Sequence, residues 1–511
     1  MRAARPVVLA SLVVLGIPGC GGARDEARAS ERTGRAAAAR PEPAPTGTDP
    51  EAAAEPAPPP PFPKETRSLE LVRTIAVRLE PGDDAKRIGT IGIDTRVAWS
   101  RTAHGKGCQK VWVEMRPRGW ICADYVKPST RPPLGREVPV LDRGEVVPGT
   151  YGKVTAPSSV TYLLEKPAKP AKPKAGKKKP RDERKGPITS PRQVDEPAPP
   201  DKPRLVEGKP LIGSVNVRQY EEVTLEGRRF WRISRRDPEY VLSQAITPHR
   251  PSGYAGARLG DDTGRALPIA FVWSRWGGPV RAMYNPQGQG GLNPTPIPAR
   301  TPVQILETAT NKAERPIAYR IGDQRWLAAA DVRVFQPAPP PALLLPGERW
   351  IDVDLDSQIL VAYEGELPVY ATLVSSGGPH APTETGEYRM WLKESEADMK
   401  GLNGEDPYSV ATVPWTQFFS PEKGLALHTA YWHDQFGTRR SAGCVNLAPR
   451  DARWLYFWSD PQVPPGWTMT AGVVEAPGSI VRVRTKDEPN PPPKGYAKKV
   501  VEARQQNAPV H

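Results

Sequence analysis

The sequence predicts a mainly β protein whose folded units are joined by disordered, proline-rich connectors. Short runs of alternating apolar and polar residues, bounded by Gly, Pro, Asn and Asp, recur from about Arg67 onwards and are typical of strands. One clear helical pattern is present, and it begins near Pro449. The 511 residues include 63 prolines in clusters, so the segments between the clusters are the ones expected to bury cores.

The N-terminus has the pattern of a targeting segment. Arg2 and Arg5 precede an apolar run at 7–17 that is too short to span a bilayer. The run ends in Ile-Pro-Gly-Cys20, which resembles a bacterial lipobox and implies lipidation of Cys20, although Pro18 leaves cleavage without a lipid open. We therefore expect a lipoprotein signal peptide at 1–20, a disordered tether at 21–66, and a protein lipid-anchored to a membrane on the periplasmic side of the cell envelope.

The segment 67–130, the first β-unit, has strand patterns at 74–79, 87–93, 111–115 and 120–126. Its closing Gly-Trp-Ile and Asp-Tyr-Val126 resemble a bacterial SH3-like barrel, which implies a small module that often holds cell-wall polymers or peptides. Cys108 and Cys122 flank one predicted hairpin. In an exported protein we expect them to form a disulfide rather than two free thiols.

Two further segments end in similar phrases, at 239–246 and 325–332. We interpret 131–255 and 256–335 as second and third SH3-like β-units; one larger irregular β-domain is the alternative. The second is interrupted at 165–204 by a basic insertion with thirteen Lys/Arg and six Asp/Glu, a net of +7. A solvated disordered insertion explains this charge, and adhesion to anionic envelope polymers is the functional alternative. Binding to nucleic acid is not expected, because the insertion lacks aromatic residues.

A proline-rich hinge is predicted at 336–346, followed by a compact unit at 347–484. Strand patterns lie at 350–356, 358–363, 367–375, 387–393, 466–470 and 480–484, and the helix runs from Pro449 through Trp458. Residues 485–511, with three consecutive prolines, are expected to be a disordered tail.

The chemistry of this unit centres on Cys444, sixteen residues after His428. With Cys20 assigned to a lipid and the other two cysteines paired, Cys444 is left without a partner. A lone cysteine is often a buried small hydrophobe, but an imidazole and the adjacent Gly443 favour a nucleophile. The histidines lack the spacing of zinc ligands, so neither metal nor cofactor is predicted, and Ser441 lacks a nucleophile elbow.

Several motifs make 347–484 resemble the YkuD-type L,D-transpeptidase catalytic domain, a β-sandwich enzyme of bacterial peptidoglycan synthesis. They are Ile351–Asp356 with Gln358, Thr-x-Thr-Gly-Glu-Tyr388, Val-Pro-Trp415, and His428 followed by Ser441-Ala-Gly-Cys-Val-Asn446. The resemblance implies that Cys444 is the nucleophile and His428 the base, with the Thr429 carbonyl orienting the imidazole. Gly443 matches a further catalytic position of the signature, and Ser441 and Asn446 are expected to bind the substrate. The family usually has histidine at the position of Ala442, and His433 is a candidate to replace it.

The resemblance implies an envelope-anchored cysteine L,D-transpeptidase that cross-links peptidoglycan through a thioester on the stem peptide. The alternatives are an L,D-carboxypeptidase acting on the same substrate and a peptidoglycan-binding scaffold weakened at Ala442. Arg439 and Arg440 are expected to pair with a stem carboxylate or to form a solvated basic loop. Trp432 and Tyr431 are expected to wall the cleft or to belong to the core.

Overall fold

A computed structural model describes residues 61–157, 159–165, 204–274, 277–401 and 408–506. The signal segment, most of the tether and nearly all of the basic insertion lie outside these residues. Of the described residues, 45% lie in strands and 8% in helices, so the predicted mainly β fold is confirmed. Among the described helices, none is both long and apolar enough to cross a membrane.

The first β-unit contains eight short strands in two sheets. They are β1 (Ser68–Leu71), β2 (Ile75–Arg78), β3 (Arg87–Ile91), β4 (Arg96–Val97), β5 (Trp99–Ala103), β6 (Trp112–Met115), β7 (Trp120–Cys122) and β8 (Val126–Ser129). β1 pairs with β4 and β8, and the other five strands follow the order β3-β2-β7-β6-β5. A disulfide joins Cys108 to Cys122.

The second β-unit contributes the next eight strands, and the third follows it. The second has β9 (Thr150–Val154), β10 (Val160–Glu165), β11 (Arg204–Pro210), β12 (Ser214–Gln219), β13 (Glu221–Leu225), β14 (Arg228–Arg232), β15 (Glu239–Leu242) and β16 (Ile246–Pro248). The third segment has β17 (Ala257–Arg258), β18 (Ile269–Val272), β19 (Val280–Met283), β20 (Leu292–Ile297), β21 (Pro302–Gln304), β22 (Glu307–Thr310), β23 (Pro316–Gly322), β24 (Arg325–Ala328) and β25 (Val332–Val334). Glu165 pairs with Arg204, so the basic insertion departs from the end of a strand pair.

The phrases that recur in the sequence have a recurring local structure. Each ends in a hairpin, one turn of 3-10 helix and a short strand; the 3-10 turns are Ala123–Tyr125, Ser243–Ala245 and Ala329–Asp331. In each hairpin an apolar pair faces inward, as Trp231 and Val241 do opposite each other in β14 and β15. The three segments therefore share a local arrangement as well as a pattern of residues.

The C-terminal unit is built on two packed sheets and two helices. It contains β26 (Arg349–Asp354), β27 (Ile359–Glu364), β28 (Leu367–Leu373), β29 (Gly386–Arg389), β30 (Leu392–Gly401), β31 (Tyr408–Ser420), β32 (Leu425–Thr429), β33 (Val445–Leu447), α1 (Pro449–Trp458), β34 (Trp467–Ala471), β35 (Ile480–Arg484) and α2 (Tyr496–Gln506). The order β28-β27-β26-β35-β29 forms one sheet, and β30 to β33 belong to the other. Fully buried Ile351, Trp415, Leu427 and Leu455 lie in the core between them.

The β-units are continuous with the C-terminal unit through shared sheets. β3 pairs with β34, β12 pairs in parallel with β31, and β17 pairs with β28. Gly89 in β3 lies against Trp467 of β34, where an added Cβ would be 1.9 Å from the ring atom Cζ3. β17 follows the boundary predicted at 256 and pairs with a strand of the C-terminal unit, a partner that a run of two residues is too short to reveal.

The predicted hinge at 336–346 is a docked segment rather than a free connector. Arg484 Nη2 donates to the Gln336 carbonyl and Arg482 Nη1 to the Pro339 carbonyl, each at 2.5 Å. Both guanidinium groups also bind the buried Asp352. Proline lacks an N–H donor but keeps its carbonyl acceptor, and buried arginines supply the donors. The composition indicated a connector, but the segment is held by arginines 143 and 148 positions later.

The prediction of a disordered tail at 485–511 is wrong for 496–506, which form α2. Ala497 and Val500, three residues apart on one face, are 2% and 1% exposed. The stripe is too short to stand out from its proline-rich surroundings. Before α2, Lys494 Nζ donates to the Thr385 carbonyl at 2.7 Å and to Glu384 Oε1 at 2.9 Å. The tail thus supports the loop that contains Thr383.

Candidate active site

The predicted nucleophile and base lie at the ends of adjacent parallel strands. His428 is in β32, and Cys444 immediately precedes β33. In the register of this pair His428 lies opposite Asn446, so the chain between His428 and Cys444 returns beside its own start. Both side chains line one cavity of about 360 Å³.

The loop before Cys444 is held by its own side chains. Ser441 Oγ donates to the Cys444 carbonyl and accepts from the Gly443 N–H at 3.2 Å. Gly443 has φ of 117°, a conformation that favours glycine, and its carbonyl accepts from Thr383 Oγ1 at 2.8 Å. Ser441 was expected to bind substrate; in this structure its hydroxyl shapes the loop.

The imidazole of His428 is buried, with 4% of the residue exposed. Nδ1 lies 2.9 Å from the Thr429 carbonyl oxygen. Because a carbonyl can only accept, Nδ1 carries the proton and Nε2 has a free lone pair. Burial lowers the pKa of His428 to about 4, against the smaller opposite effect of the Thr429 carbonyl. At neutral pH the ring is an unprotonated base with a fixed orientation.

Cys444 is the free cysteine of the described residues and is partly exposed. Its Sγ lies 3.9 Å from the Gly424 carbonyl, which accepts a hydrogen bond from a thiol but not from a thiolate. Burial raises the pKa of the thiol to about 11, and the Ala426 N–H acts in the opposite direction. The resting site therefore contains a neutral thiol and a neutral imidazole rather than an ion pair.

His433 lines the same cavity, as Ala442 does. Gln435 N–H donates to its Nδ1 at 3.2 Å, so in the neutral ring Nε2 carries the proton. Nε2 is 3.0 Å from the side-chain amide of Asn446, whose other amide atom has no partner. The amide orientation that offers Oδ1 to His433 satisfies the ring and leaves Nδ2 as an unpaired donor in the cavity wall. Burial lowers the pKa of His433 to about 4.

The aromatic residues after His428 divide between cavity and core. Trp432 lines the cavity, with its ring centroid 5.8 Å from that of His428. Tyr431 is fully buried, and its hydroxyl donates to the Ala411 carbonyl at 2.9 Å. Trp432 therefore walls the cleft, whereas Tyr431 belongs to the core and is not brought to the cavity.

The two arginines of the loop also differ. Arg440 lines the cavity, and its guanidinium donates to the side chain of Gln435. Arg439 points elsewhere, because its Nη2 donates to the Leu355 carbonyl at 2.9 Å and lies 3.6 Å from Asp356. The structure therefore does not place Arg439 where it would meet a stem carboxylate in this cavity.

Six cavity residues come from outside the motif and were missed. Met399 and Val410 face each other on β30 and β31. The second β-unit supplies Lys153, Ser214, Asn216 and His249. Nothing in the local sequence marks these four residues, because their relation to Cys444 depends on how the second β-unit docks.

The described residues contain one group with metal-ligand atoms close together: Cys108, Cys122 and Asp124. The two sulfur atoms are joined in the disulfide and carry no thiolate to bind a metal.

Comparison with known families matches residues 348–485 to the YkuD family, described as an L,D-transpeptidase catalytic domain. No curated protein matches the chain. A mutant L,D-transpeptidase from Enterococcus faecium is 27% identical over 27% of this chain and 50% of its own, with a TM-score of 0.22.

Two further solved structures are similar over different shares of the chain. The catalytic domain of the E. faecium enzyme is 26% identical over 27% of this chain and 98% of its own, with a TM-score of 0.21. An L,D-transpeptidase from Mycobacterium smegmatis is 15% identical over 47% and 90%, with a TM-score of 0.22. The match thus spans about half the length of the first structure. Residues 348–485, which contain His428 and Cys444, therefore match the YkuD family of L,D-transpeptidase catalytic domains.

Proposed function

We propose that the protein is a cysteine L,D-transpeptidase that cross-links peptidoglycan stem peptides. The observation that carries the proposal is the shared cavity of Cys444 and His428, with the imidazole tautomer fixed by Thr429. The site lies within the segment matched to the YkuD family. A nucleophile, a correctly protonated base and a cleft open to substrate are the parts that acyl transfer through a thioester requires.

In the first half-reaction, His428 Nε2 takes the proton from Cys444 as Sγ attacks the amide carbonyl of the donor stem peptide. The C–N bond breaks, the terminal D-amino acid leaves with the proton returned by His428, and a thioester remains on Sγ. Attack of Sγ on the carbonyl forms an oxyanion. The Gly443 N–H already donates to Ser441 Oγ, so the donors assigned to the oxyanion are the backbone N–H of Cys444 and the side-chain amide of Asn446. A preorganised donor is typically worth about 3 kcal/mol.

In the second half-reaction, the amine of a neighbouring stem attacks the thioester. His428 accepts a proton from the amine and returns it to the departing Sγ, which forms the cross-link and regenerates the thiol. Water in place of the amine would give the L,D-carboxypeptidase reaction. The two reactions share every residue of the site and differ in the acceptor.

Incubation with a disaccharide-tetrapeptide tests the proposal. Mass spectrometry is expected to show cross-linked dimers and an acyl adduct on the intact protein. Shortened monomers without dimers would identify a carboxypeptidase, and no product would identify a scaffold. Cys444→Ala should abolish both the adduct and the product, and activity retained by this variant would refute the mechanism.

We also propose that the protein acts in the cell envelope, held by a lipid on Cys20. The disulfide between Cys108 and Cys122 supports an oxidising compartment. Cys20→Ala should move the protein from the membrane fraction to the soluble envelope fraction. Unchanged fractionation would contradict a lipid anchor.

The three β-units and the basic insertion are proposed to hold the enzyme on its polymer. SH3-like modules are the proposed identity of the β-units, supported by their shared hairpin and 3-10 turn. The insertion at 165–204 carries half of the net charge of +14, which would favour anionic envelope polymers. Deletion of 166–185 should reduce sedimentation with isolated cell walls at low salt, and unchanged sedimentation would exclude the electrostatic contribution.

A further inference from the structure

The second β-unit is fixed against the C-terminal unit by strand pairing, an ion pair and aromatic stacking. β12 pairs in parallel with β31 over Ser214–Asn216. Arg218 forms an ion pair with Glu396 in which both side chains are largely buried, and Arg235 reaches the same carboxylate at 3.1 Å. A docked unit of this kind can contribute side chains to a site with defined geometry.

Its sheet presents one face to the cavity. On β9, Tyr151 stacks on Tyr431 with ring centroids 4.0 Å apart, and Lys153 follows two residues later on the same face. Lys153 lies directly opposite Asn216 of β12, so their side chains are neighbours. The stacking that docks the unit therefore also places Lys153 and Asn216 on the wall of the cavity that Cys444 lines.

His249 completes this face. Its backbone N–H donates to the Tyr151 carbonyl at 2.8 Å, and its Nε2 is 2.7 Å from Asn216 Oδ1. Burial, and then the neighbouring Lys153, lower the pKa of His249, so the ring is neutral near pH 7. A neutral ring donates Nε2–H to Oδ1, and this bond fixes the Asn216 amide with Nδ2 as its remaining donor group.

The charges of the cavity have one sign. Among the described residues that line it, Lys153 and Arg440 are the permanently charged ones, and none is acidic. Neither of the two forms an ion pair with a described residue, since Arg440 has the neutral Gln435 as its partner. Two unpaired cations in a recess, beside amide donors, favour an anionic group over a neutral one.

We propose that the second β-unit forms the wall of the catalytic cavity that recognises a carboxylate of the substrate, with Lys153 as the main specificity-determining residue and Asn216 as a neighbouring donor. This wall lies outside the segment matched to the catalytic-domain family. The inference that the carboxylate belongs to a stem peptide rests on the proposed function. The electrostatic preference of the cavity does not depend on it.

Alkylation of Cys444 in the full chain tests the wall without requiring turnover. Iodoacetate and iodoacetamide both form an Sγ–CH₂ bond with loss of iodide and of the thiol proton, but only iodoacetate is anionic. Lys153→Met is expected to lower the ratio of the iodoacetate rate to the iodoacetamide rate about fivefold at low salt, and the difference should shrink at high salt. Lys209→Met, which removes an exposed lysine of β11 from the same unit, is the matched control and should leave the ratio unchanged.

The outcomes separate the wall from the proposed function. An unchanged ratio in Lys153→Met, or an equal fall in Lys209→Met, would overturn the wall whatever the enzyme does with stem peptides. If the ratio falls only in Lys153→Met and the wild type makes no product from the tetrapeptide, the wall would be supported and the proposed function contradicted. If the enzyme is active, Lys153→Met should raise KM for the tetrapeptide about fivefold and change kcat little.

Discussion

The protonation state of the resting thiol is the sharpest prediction of the site, and pH is the perturbation that tests it. Burial raises the pKa of Cys444 to about 11, from an ordinary value of 9.0. Burial lowers the pKa of His428 to about 4, from 6.5. Both groups are therefore neutral at neutral pH, and neither is stabilised by an opposite charge on the other.

The magnitude follows from the thiolate fraction. Since only the thiolate is alkylated, a pKa two units above the ordinary value makes the iodoacetamide rate about 100-fold slower at pH 8 than for an ordinary thiol. The rate should rise about tenfold per pH unit from pH 6 to pH 9 without a plateau. A thiolate–imidazolium pair would instead give a plateau between the two pKa values.

Alkylation kinetics by intact-mass spectrometry across this range, with Cys444→Ala as the blank, provide the measurement. His428→Gln should change the alkylation rate less than threefold, because the neutral ring does not stabilise a thiolate. The same variant should lose about 10² to 10⁴ of the turnover, because it removes the base. A plateau near neutral pH in the wild type that disappears in His428→Gln would refute the neutral resting site.

Three further predictions concern stability and unit docking. Gly89→Ala should destabilise the protein by about 1–3 kcal/mol in urea unfolding, because the tryptophan behind it leaves no room, whereas Gly92→Ala, whose Cβ meets its nearest atoms at 3.6 Å, should be nearly neutral. Asp352→Asn leaves two buried guanidinium groups without a carboxylate and should cost about 3–5 kcal/mol, against less than about 1 kcal/mol for the more exposed Asp356→Asn. Because burial lowers the pKa of His433 from 6.5 to about 4, its contribution to stability is complete above pH 6.5 and is lost as pH falls towards about 4. The Tm of His433→Gln should therefore depend less on pH in this window than the Tm of the wild type. Equal dependence of Tm on pH in the two proteins would contradict a buried neutral ring.

Local patterns were enough to predict much of the architecture. Strand alternation and turn residues indicated a mainly β chain, and Pro449 together with the apolar residues up to Trp458 indicated α1. The spacing of Cys444 from His428 singled out the candidate pair, because His428 lies in one strand and Cys444 immediately precedes the neighbouring strand. Such features depend on neighbours within a few residues or within one motif, which the sequence displays directly.

Tertiary structure decided the features that depend on distant partners. The 336–346 segment is ordered by arginines of β35, and α2 is ordered by burying Ala497 and Val500 on the C-terminal unit. The composition of 336–346 gives no sign of the arginines that bind it, and the composition of the C-terminal segment gives no sign of the surface that covers α2. Proline content reports the entropy of a free chain, whereas order depends on the surface against which that chain packs.

The sequence by itself determined that Cys444 and His428 form the candidate chemistry of this protein, since motif and spacing carry that information. Only the tertiary structure decided that the thiol rests neutral, that Arg439 points away, and that Lys153, nearly 300 residues earlier, lines the same cavity. The physical reason is that burial sets pKa values and sheet pairing sets which strands become neighbours. Both result from contacts between residues far apart in the chain.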